Sequence, residues 1–326
     1  MQQSNVEIKK IPGPIIIFGA GGFVGFNLLQ KLLGSREDVF GVFSDPDKNW
    51  RLKAKTTSPL NVVKCDIRDR GALKSLFSRI KPKVVFNLAA YGAYSSQIDI
   101  DNIYSTNFNS TYHIIEELKK QGFSAYVHAG SQSEYGLNSA EPSEEAELVP
   151  NSHYAVSKAA VSSLIKYYGK VEKLPVVHLR LYSVYGAWEE PNRLIATLVS
   201  EAKKGKLPKF VDPDISRDFV HVDDVCEAFI IAAAKLATRQ LAQSSNSQLY
   251  GEVFNICTGK KTTIKELANL AKKIFNIKQE PKFGSLKNRD WDLKDWYGNP
   301  KKINRILGWK AKISLKVGLT ELIYLF

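Results

Sequence analysis

The chain has 326 residues, enough to bury a substantial core without a disulfide scaffold, as one large domain or two sharing an interface. Its 46 lysines and arginines exceed its 33 aspartates and glutamates, and the formal charge of +13 suits an anionic ligand such as a nucleotide. The lysines are scattered (Lys48, Lys53, Lys119, Lys203, Lys260) rather than gathered into one basic run, so nucleic acid is not the expected partner. Cys65, Cys226 and Cys257 are widely spaced and in no C-x-x-C arrangement, which points to neither a disulfide framework nor zinc; they read as reduced thiols in or near strands. The opening residues lack the apolar core of a signal peptide, and no later stretch offers the roughly 18 uninterrupted apolar residues of a membrane span, so the expectation is a cytoplasmic protein with no membrane partner.

Along the first half, short β-branched runs alternate with amphipathic stretches. In order these are IIIFG at 15–19, a helix over 23–33, VFGVF at 39–43, NVVKC at 61–65, a helix near 70–80 and KVVFNLAA at 83–90. There follow a helix from about 102 to 121, AYVHAGS at 125–131, a helix from about 152 to 172 and VVHLRLYS at 176–183. Continuous apolar strands separated by helices predict a parallel sheet covered on both faces. After Ser183 the rhythm breaks: 184–220 and 278–300 are richer in Pro, Gly, Trp and charge, whereas VCEAFIIAAAKLA at 225–237 and GEVFNICTG at 251–259 return to helix and strand. The second, smaller lobe is therefore expected to be discontinuous, with the chain crossing back once to finish the sheet. Residues 240–248, rich in Gln, Ser and Asn, read as a loop.

The first strand runs into Gly19, Gly22 and Gly25 and then a helix, where glycine permits a tight turn, close approach of a pyrophosphate and close packing of helix on strand. This predicts dinucleotide binding, with Phe23 and Val24 at the helix start beside the phosphates. The G-x-x-G-x-x-G spacing resembles the short-chain dehydrogenase/reductase superfamily. By that resemblance Ser44 and Asp45, after the second strand, meet the adenosine ribose; Asp45 lies one place later than the usual acid. No Arg holds the NADP position and Asp45 would repel a 2′-phosphate, although Lys48 and Arg51 could offset it, so the expected cofactor is NAD(P) with the balance toward NAD. Asp66 and Ile67 resemble the adenine-contacting pair, with a helix cap as the competing reading of Asp66. Leu88, Ala89 and Ala90 of the NLAA run resemble a further cofactor contact.

Tyr154 and Lys158 stand four residues apart at the start of a helix and so share one face. A free Tyr titrates near 10 and is a poor base at neutral pH; a neighbouring ammonium and a positive nicotinamide ring stabilise the phenolate. Lys158 would also hold the nicotinamide ribose. Ser131, at the end of the fifth strand, can hydrogen-bond the substrate oxygen that gains or loses the proton. Asn107 matches the structural Asn of the same superfamily, next to the plainer reading of a polar residue filling a buried hydrogen bond. With GAGGFVG, CDIRD, NLAA, STNFNST, GSQSEYG, YAVSK, LRLYSVYG, RDFVHVDD, FNICTG and NPKKINRILGW in order, nearly the whole chain resembles the extended short-chain dehydrogenase/reductases, the nucleotide-sugar epimerases, dehydratases and reductases. The resemblance implies an α/β protein with a doubly wound Rossmann sheet and a smaller, discontinuous C-terminal substrate-binding α/β lobe. Its cofactor domain is expected at 1–183 plus about 221–258, and the sugar-binding lobe at about 184–220 plus 259–326.

The 4,6-dehydratases of that family carry an acidic pair at the positions held here by Gln132 and Ser133, neither of which can abstract a carbon-bound proton. Glu134 is one residue too late, and on a strand or extended turn that shift changes the side it faces. A dehydratase is thus disfavoured. What remains is an epimerase, slightly preferred, or a 4-keto reductase that consumes cofactor. The resemblance places Tyr91, Gln132, Ser133, Ser183, Asn192 and Arg193 at the sugar, and Arg217 and Arg289 at its pyrophosphate, which Arg can hold bidentately. The plainer reading makes both Arg residues surface groups paired with Asp218 and Asp290. His128, His178 and His221 read as strand-embedded residues, not metal ligands, and no metal is expected. The rivals are a non-catalytic nucleotide- or RNA-binding protein, which would have no use for a base beside the nicotinamide, and a reductase of a small ketone or aldehyde. The family resemblance also implies a homodimer through the helices from Asn102 and Tyr154.

Overall fold

The computed structural model describes residues 7–54, 61–238, 248–286 and 293–324. Arg289 and Asp290, and residues 240–247 of the expected loop, lie outside the described residues. In chain order the strands are β1 (Ile15–Phe18), β2 (Val39–Phe43), β3 (Asn61–Lys64), β4 (Val84–Asn87), β5 (Ala125–Ser131) and β6 (Val176–Leu181), then β7 (Ser183–Tyr185), β8 (Ser216–Arg217), β9 (Phe219–His221), β10 (Val253–Ile256) and β11 (Thr262–Thr263). Seven of them form one sheet in the order β10-β6-β5-β4-β1-β2-β3, and every adjacent pair is parallel. This is a Rossmann-like α/β sheet.

The alternation of side chains along β1 shows why both faces are apolar. Ile15 and Ile17 pack on one face with Leu28, Leu29 and Leu32 of the helix Phe23–Leu33, while Ile16 and Phe18 pack on the other with Leu73, Leu76 and Phe77 of the helix Arg70–Ile80. The strand order reverses between β1 and β4, which opens a crevice beyond their C-terminal ends. The glycine turn after β1 and the Leu88–Tyr91 run after β4 border it.

Several elements depart from the sequence expectation. The run expected as one strand over 176–183 divides at buried Tyr182: its N–H still meets Ile256 of the main sheet, but the Ser183 N–H turns to the Asp218 carbonyl, so Ser183 begins a separate pairing of β7 with β9. The helix from 100 to 121 is interrupted by a π turn at Ser105–Asn109. The helix Val222–Ala237 starts three residues before the apolar pattern, with His221 as its cap, and Cys226 sits on this helix, whereas Cys65 and Cys257 follow strands.

Off the sheet, a separate core gathers Tyr185, Leu198, Phe210, Phe219, Leu267 and Leu319, built from the helices Leu194–Lys203, Ile264–Ile274 and Leu315–Leu322. The chain returns to the sheet once more than expected: Ile303, Leu307 and Trp309 pack into the sheet core rather than this second one, because the apolar side of the helix Lys301–Leu307 lies on β10. No helix among the described residues is long and apolar enough to cross a membrane.

Candidate active site

The glycine turn packs against its own neighbours too closely for side chains at two positions. Gly19 has φ +74°, and a Cβ there would lie 2.5 Å from the Ala89 nitrogen; a Cβ on Gly25 would lie 2.2 Å from the Gly19 carbonyl oxygen. Gly22 caps the helix Phe23–Leu33 with no side-chain hydrogen bond, which leaves the first-turn amides for an anion. On one side of this turn a cleft is lined by Gly19, Gly22, Ser44, Asp45, Asp66, Ile67, Leu88, Ala89, Ala90 and Tyr91. Tyr91, expected at the sugar, thus lines this cleft and not the one on the other side of the turn that holds Tyr154. Asp45 pairs with exposed Lys48 at 3.2 Å, which holds its carboxyl below the usual range. Asp66 is clamped by Arg68 at 2.6 Å, and the helix cap is Asp69, whose Oδ1 accepts from Gly71 and Ala72; the cap reading of Asp66 is overturned.

On the other side of the turn a second cleft is lined by Gly22, Phe23, Val24, Gly25, Gln132, Ser133, Ser183, Arg193 and Arg217 together with Ser131, Tyr154 and Lys158. Ser152 caps the helix His153–Lys170 through the Ala155 N–H, setting Tyr154 in its first turn and Lys158 one turn on. Lys158 is buried, and its ammonium donates to the Ala129 carbonyl at 2.9 Å and lies 5.9 Å from the Tyr154 ring centroid. Burial pushes Lys158 down to about 8, against the charge of Glu134. Burial likewise pushes the Tyr154 phenol up to about 12, a hydrogen bond with Ser131 pulling the other way. In the chain alone burial thus outweighs the groups that would acidify Tyr154; the positive ring expected to act together with Lys158 belongs to the cofactor. Asn107 stands behind the cleft. The π turn brings its amide to both the N–H and the carbonyl of Tyr91, each at 2.9 Å, and to Ser157 Oγ at 2.9 Å, tying the β4 loop to the catalytic helix.

Beneath Ser131 lies a charged cluster that sequence reasoning did not find. Residues 132–135 form a single tight helical turn instead of an extended one, capped reciprocally by Ser131 and Glu134. This turns Glu134 away from the cleft into the interior, where it is fully buried. One carboxylate oxygen accepts from the Ser131 N–H at 2.8 Å and His178 Nε2 at 2.7 Å, the other from Arg180 Nε at 2.6 Å. Burial alone would raise the Glu134 carboxyl; His178, Arg180 and the Ser131 N–H hold it down at about 2. His128 stacks on His178 with ring centroids 5.3 Å apart.

The substrate loop carries a second unforeseen device. Arg51, 2% exposed, donates to the Trp188 carbonyl (2.8 Å), the Gly21 carbonyl (3.0 Å) and Glu190 (2.9 Å), so it binds the glycine turn to the loop 186–193 and is not directed at a 2′-phosphate. Asn192 and Arg193 border an adjoining cleft with Arg217, which is half-buried with its guanidinium 5.9 Å from the Trp296 ring centroid. Asp218, offered as the Arg217 partner in the plainer reading, is buried with its oxygens taken by Thr258, Gly259 and Gly298. His128 and His178 are embedded in strands and His221 ends β9. Among the described residues no group of three His, Cys, Asp or Glu is placed to hold a metal.

Comparison with known proteins agrees with this geometry. Residues 15–257 match the family model of the NAD dependent epimerase/dehydratase family. The UDP-glucose 4-epimerase of Mycolicibacterium smegmatis is 29% identical over 95% of this chain and 97% of its own length. A UDP-glucose 4-epimerase of Thermotoga maritima, solved with UDP-glucose, is 26% identical, with a TM-score of 0.80 over 96% of this chain and 98% of that one. A UDP-glucuronic acid 4-epimerase of Bacillus cereus, solved with UDP-glucuronic acid and NAD, is 26% identical, with a TM-score of 0.78 over 95% and 98%.

Proposed function

Since the chain belongs to the NAD dependent epimerase/dehydratase family, enzymes of the extended short-chain dehydrogenase/reductase class, we propose that it is an NAD-dependent epimerase of a nucleotide-diphosphate sugar. The observation that carries this reading is a cleft joining the glycine turn to Ser131, Tyr154 and Lys158, with an amide and a hydroxyl, Gln132 and Ser133, where a dehydratase needs acids. NAD, when bound, supplies the hydride acceptor and a positive ring beside the phenol. Tyr154 takes the proton of the reacting hydroxyl and later returns it. Ser131 hydrogen-bonds the same oxygen and holds it against the phenol. Lys158, fixed by the Ala129 carbonyl, would hold the nicotinamide ribose and lend its charge to the phenol. Asp45 in the adenosine cleft, with Arg51 committed elsewhere, supports NAD over NADP.

Arg193 and Arg217 border the part of the cleft away from the glycine turn and are suited to the substrate's diphosphate. We take the working form to be a homodimer, supported by exposed Tyr112, Val156 and Tyr167 on the two helices from Ile100 and His153; light scattering at the monomer mass would rule it out. The decisive experiment incubates the protein with nucleotide sugars and catalytic NAD and follows the sugar by proton NMR. A stereoisomer formed without net change in cofactor supports the epimerase. Stoichiometric consumption of NADH or NADPH with a keto sugar replaces it by the reductase.

A further inference from the structure

We propose that Glu189 reads the sugar: its carboxyl, in the wall of the catalytic cleft that Gln132 and Trp296 also line, hydrogen-bonds a hydroxyl of the ring carried by a nucleoside diphosphate. The inference rests on the nucleotide-sugar reading of the cleft and adds to it the residue that recognises the ring. Trp188 sets the position. It has φ +66°, its carbonyl is held by Arg51, and its ring packs against Phe26 and Trp50 at centroid distances of 5.1 and 6.0 Å. Past that fixed turn Glu190 goes outward to Arg51, and Glu189 goes inward, where it is 4% exposed and lines both the catalytic cleft and the adjoining one.

Among the described residues, Glu189 Oε2 is buried with no hydrogen-bond partner, and the nearest cation, Arg193, holds its Nε 3.8 Å from Oε1, beyond hydrogen-bond reach. Two more residues of the same cleft carry buried polar atoms in the same condition: Gln132 Oε1 and Trp296 Nε1. Buried polar groups are paired in nearly all native interiors, so such a concentration around one cleft marks where a ligand completes the bonding. The set also defines the ligand's chemistry. Trp296 can only donate and the Gln132 oxygen can only accept. Burial pushes Glu189 up to about 8, with Arg193 and the Gly186 backbone opposing and Glu190 adding to the rise; at neutral pH it is an acid that both donates and accepts. An ammonium would leave the indole unmet and a carboxylate would leave the Gln132 oxygen unmet, whereas hydroxyls satisfy both. The charged or titratable groups around it are Arg193 and Glu190 on its own loop, with Tyr94, Tyr154, Lys158 and Arg217 lining the same cleft.

The test uses NAD-loaded protein and calorimetric titration with uridine, thymidine, cytidine and guanosine diphosphates and their glucose conjugates. For the best-bound nucleotide, the wild type should bind the glucose conjugate more tightly than the diphosphate, and Glu189→Leu should cut that ratio by about tenfold without changing diphosphate affinity. Glu189→Gln should recover most of it, and the ratio should fall above pH about 8 in the wild type but not in this variant. A ratio untouched by Glu189→Leu, or a loss shared equally by diphosphate and conjugate, overturns the proposal alone. Failure of every diphosphate and conjugate to bind the wild type overturns the nucleotide-sugar reading beneath it, and this proposal with it.

Discussion

Replacing Glu134 by Gln removes one charge from a cluster that has no solvent to compensate it. Arg180 and Glu134 are both 0% exposed, and besides Glu134 the Arg180 guanidinium reaches only Ser162 Oγ at 3.1 Å and the Glu144 carbonyl at 3.4 Å among its described hydrogen bonds. Breaking a buried pair from one side costs about 3–5 kcal/mol. A second route to the magnitude agrees: a carboxyl held at about 2 instead of its ordinary 4.5 corresponds to about 3 kcal/mol. Because the folded value is the lower one, this stability is complete above pH 4.5 and is lost as pH falls toward 2. Urea unfolding at pH 7 should therefore show Glu134→Gln about 3 kcal/mol less stable than the wild type, with the gap closing progressively between pH 4.5 and 2. Adding Arg180→Met should restore much of the loss, since the stranded cation is gone. A gap under about 1 kcal/mol at pH 7, or one that does not change on acidification, refutes the reasoning.

Tyr154→Phe should lower turnover by about 10²–10⁴-fold while leaving NAD affinity nearly unchanged; an intact rate would remove Tyr154 from the chemistry. The Tyr154 phenol, at about 12 in the chain alone, should titrate lower once oxidised NAD is bound, read as phenolate absorbance that appears on saturation at alkaline pH and is missing in Tyr154→Phe. Arg217→Ala should raise KM for the nucleotide sugar far more than it changes the Kd for NAD, and unchanged substrate kinetics would exclude Arg217 from the site. Asp45→Ser should narrow the preference for NAD over NADP, measured as the ratio of their dissociation constants; an unaltered ratio would mean that Asp45 does not face the adenosine ribose.

What could be read from the sequence was whatever depends on neighbours in the chain. The seven-strand sheet, the glycine turn and the Tyr154/Lys158 face follow from periodicity and from spacings of three and four residues, and β1 shows the rule directly. The turn at 132–135 was also within reach, since Ser131 followed three residues later by Glu134 is a reciprocal capping signature. Read as an extended turn, it concealed the direction of Glu134. The partners of that carboxylate, His178 and Arg180, lie 44 and 46 residues away, and no local pattern joins them. The same holds for Arg51, whose contacts at Trp188 and Glu190 are 137 and 139 residues distant. The break at Tyr182 escaped notice because β-branched and apolar character continues through it, while the change of sheet is decided by the carbonyl of Asp218. The burial of Tyr154 and Lys158 was not legible either: spacing gives proximity, but the cost of burying each group is set by the whole fold.

One guanidinium ties the glycine turn to the loop 186–193, so on the proposed reading a dinucleotide and a sugar would not meet independent surfaces. If steadying Gly21 also steadies Trp188, thermodynamic reciprocity makes the help each guest gives the other equal in both directions. Cutting the tie with Arg51→Met should leave two affinities that no longer respond to one another.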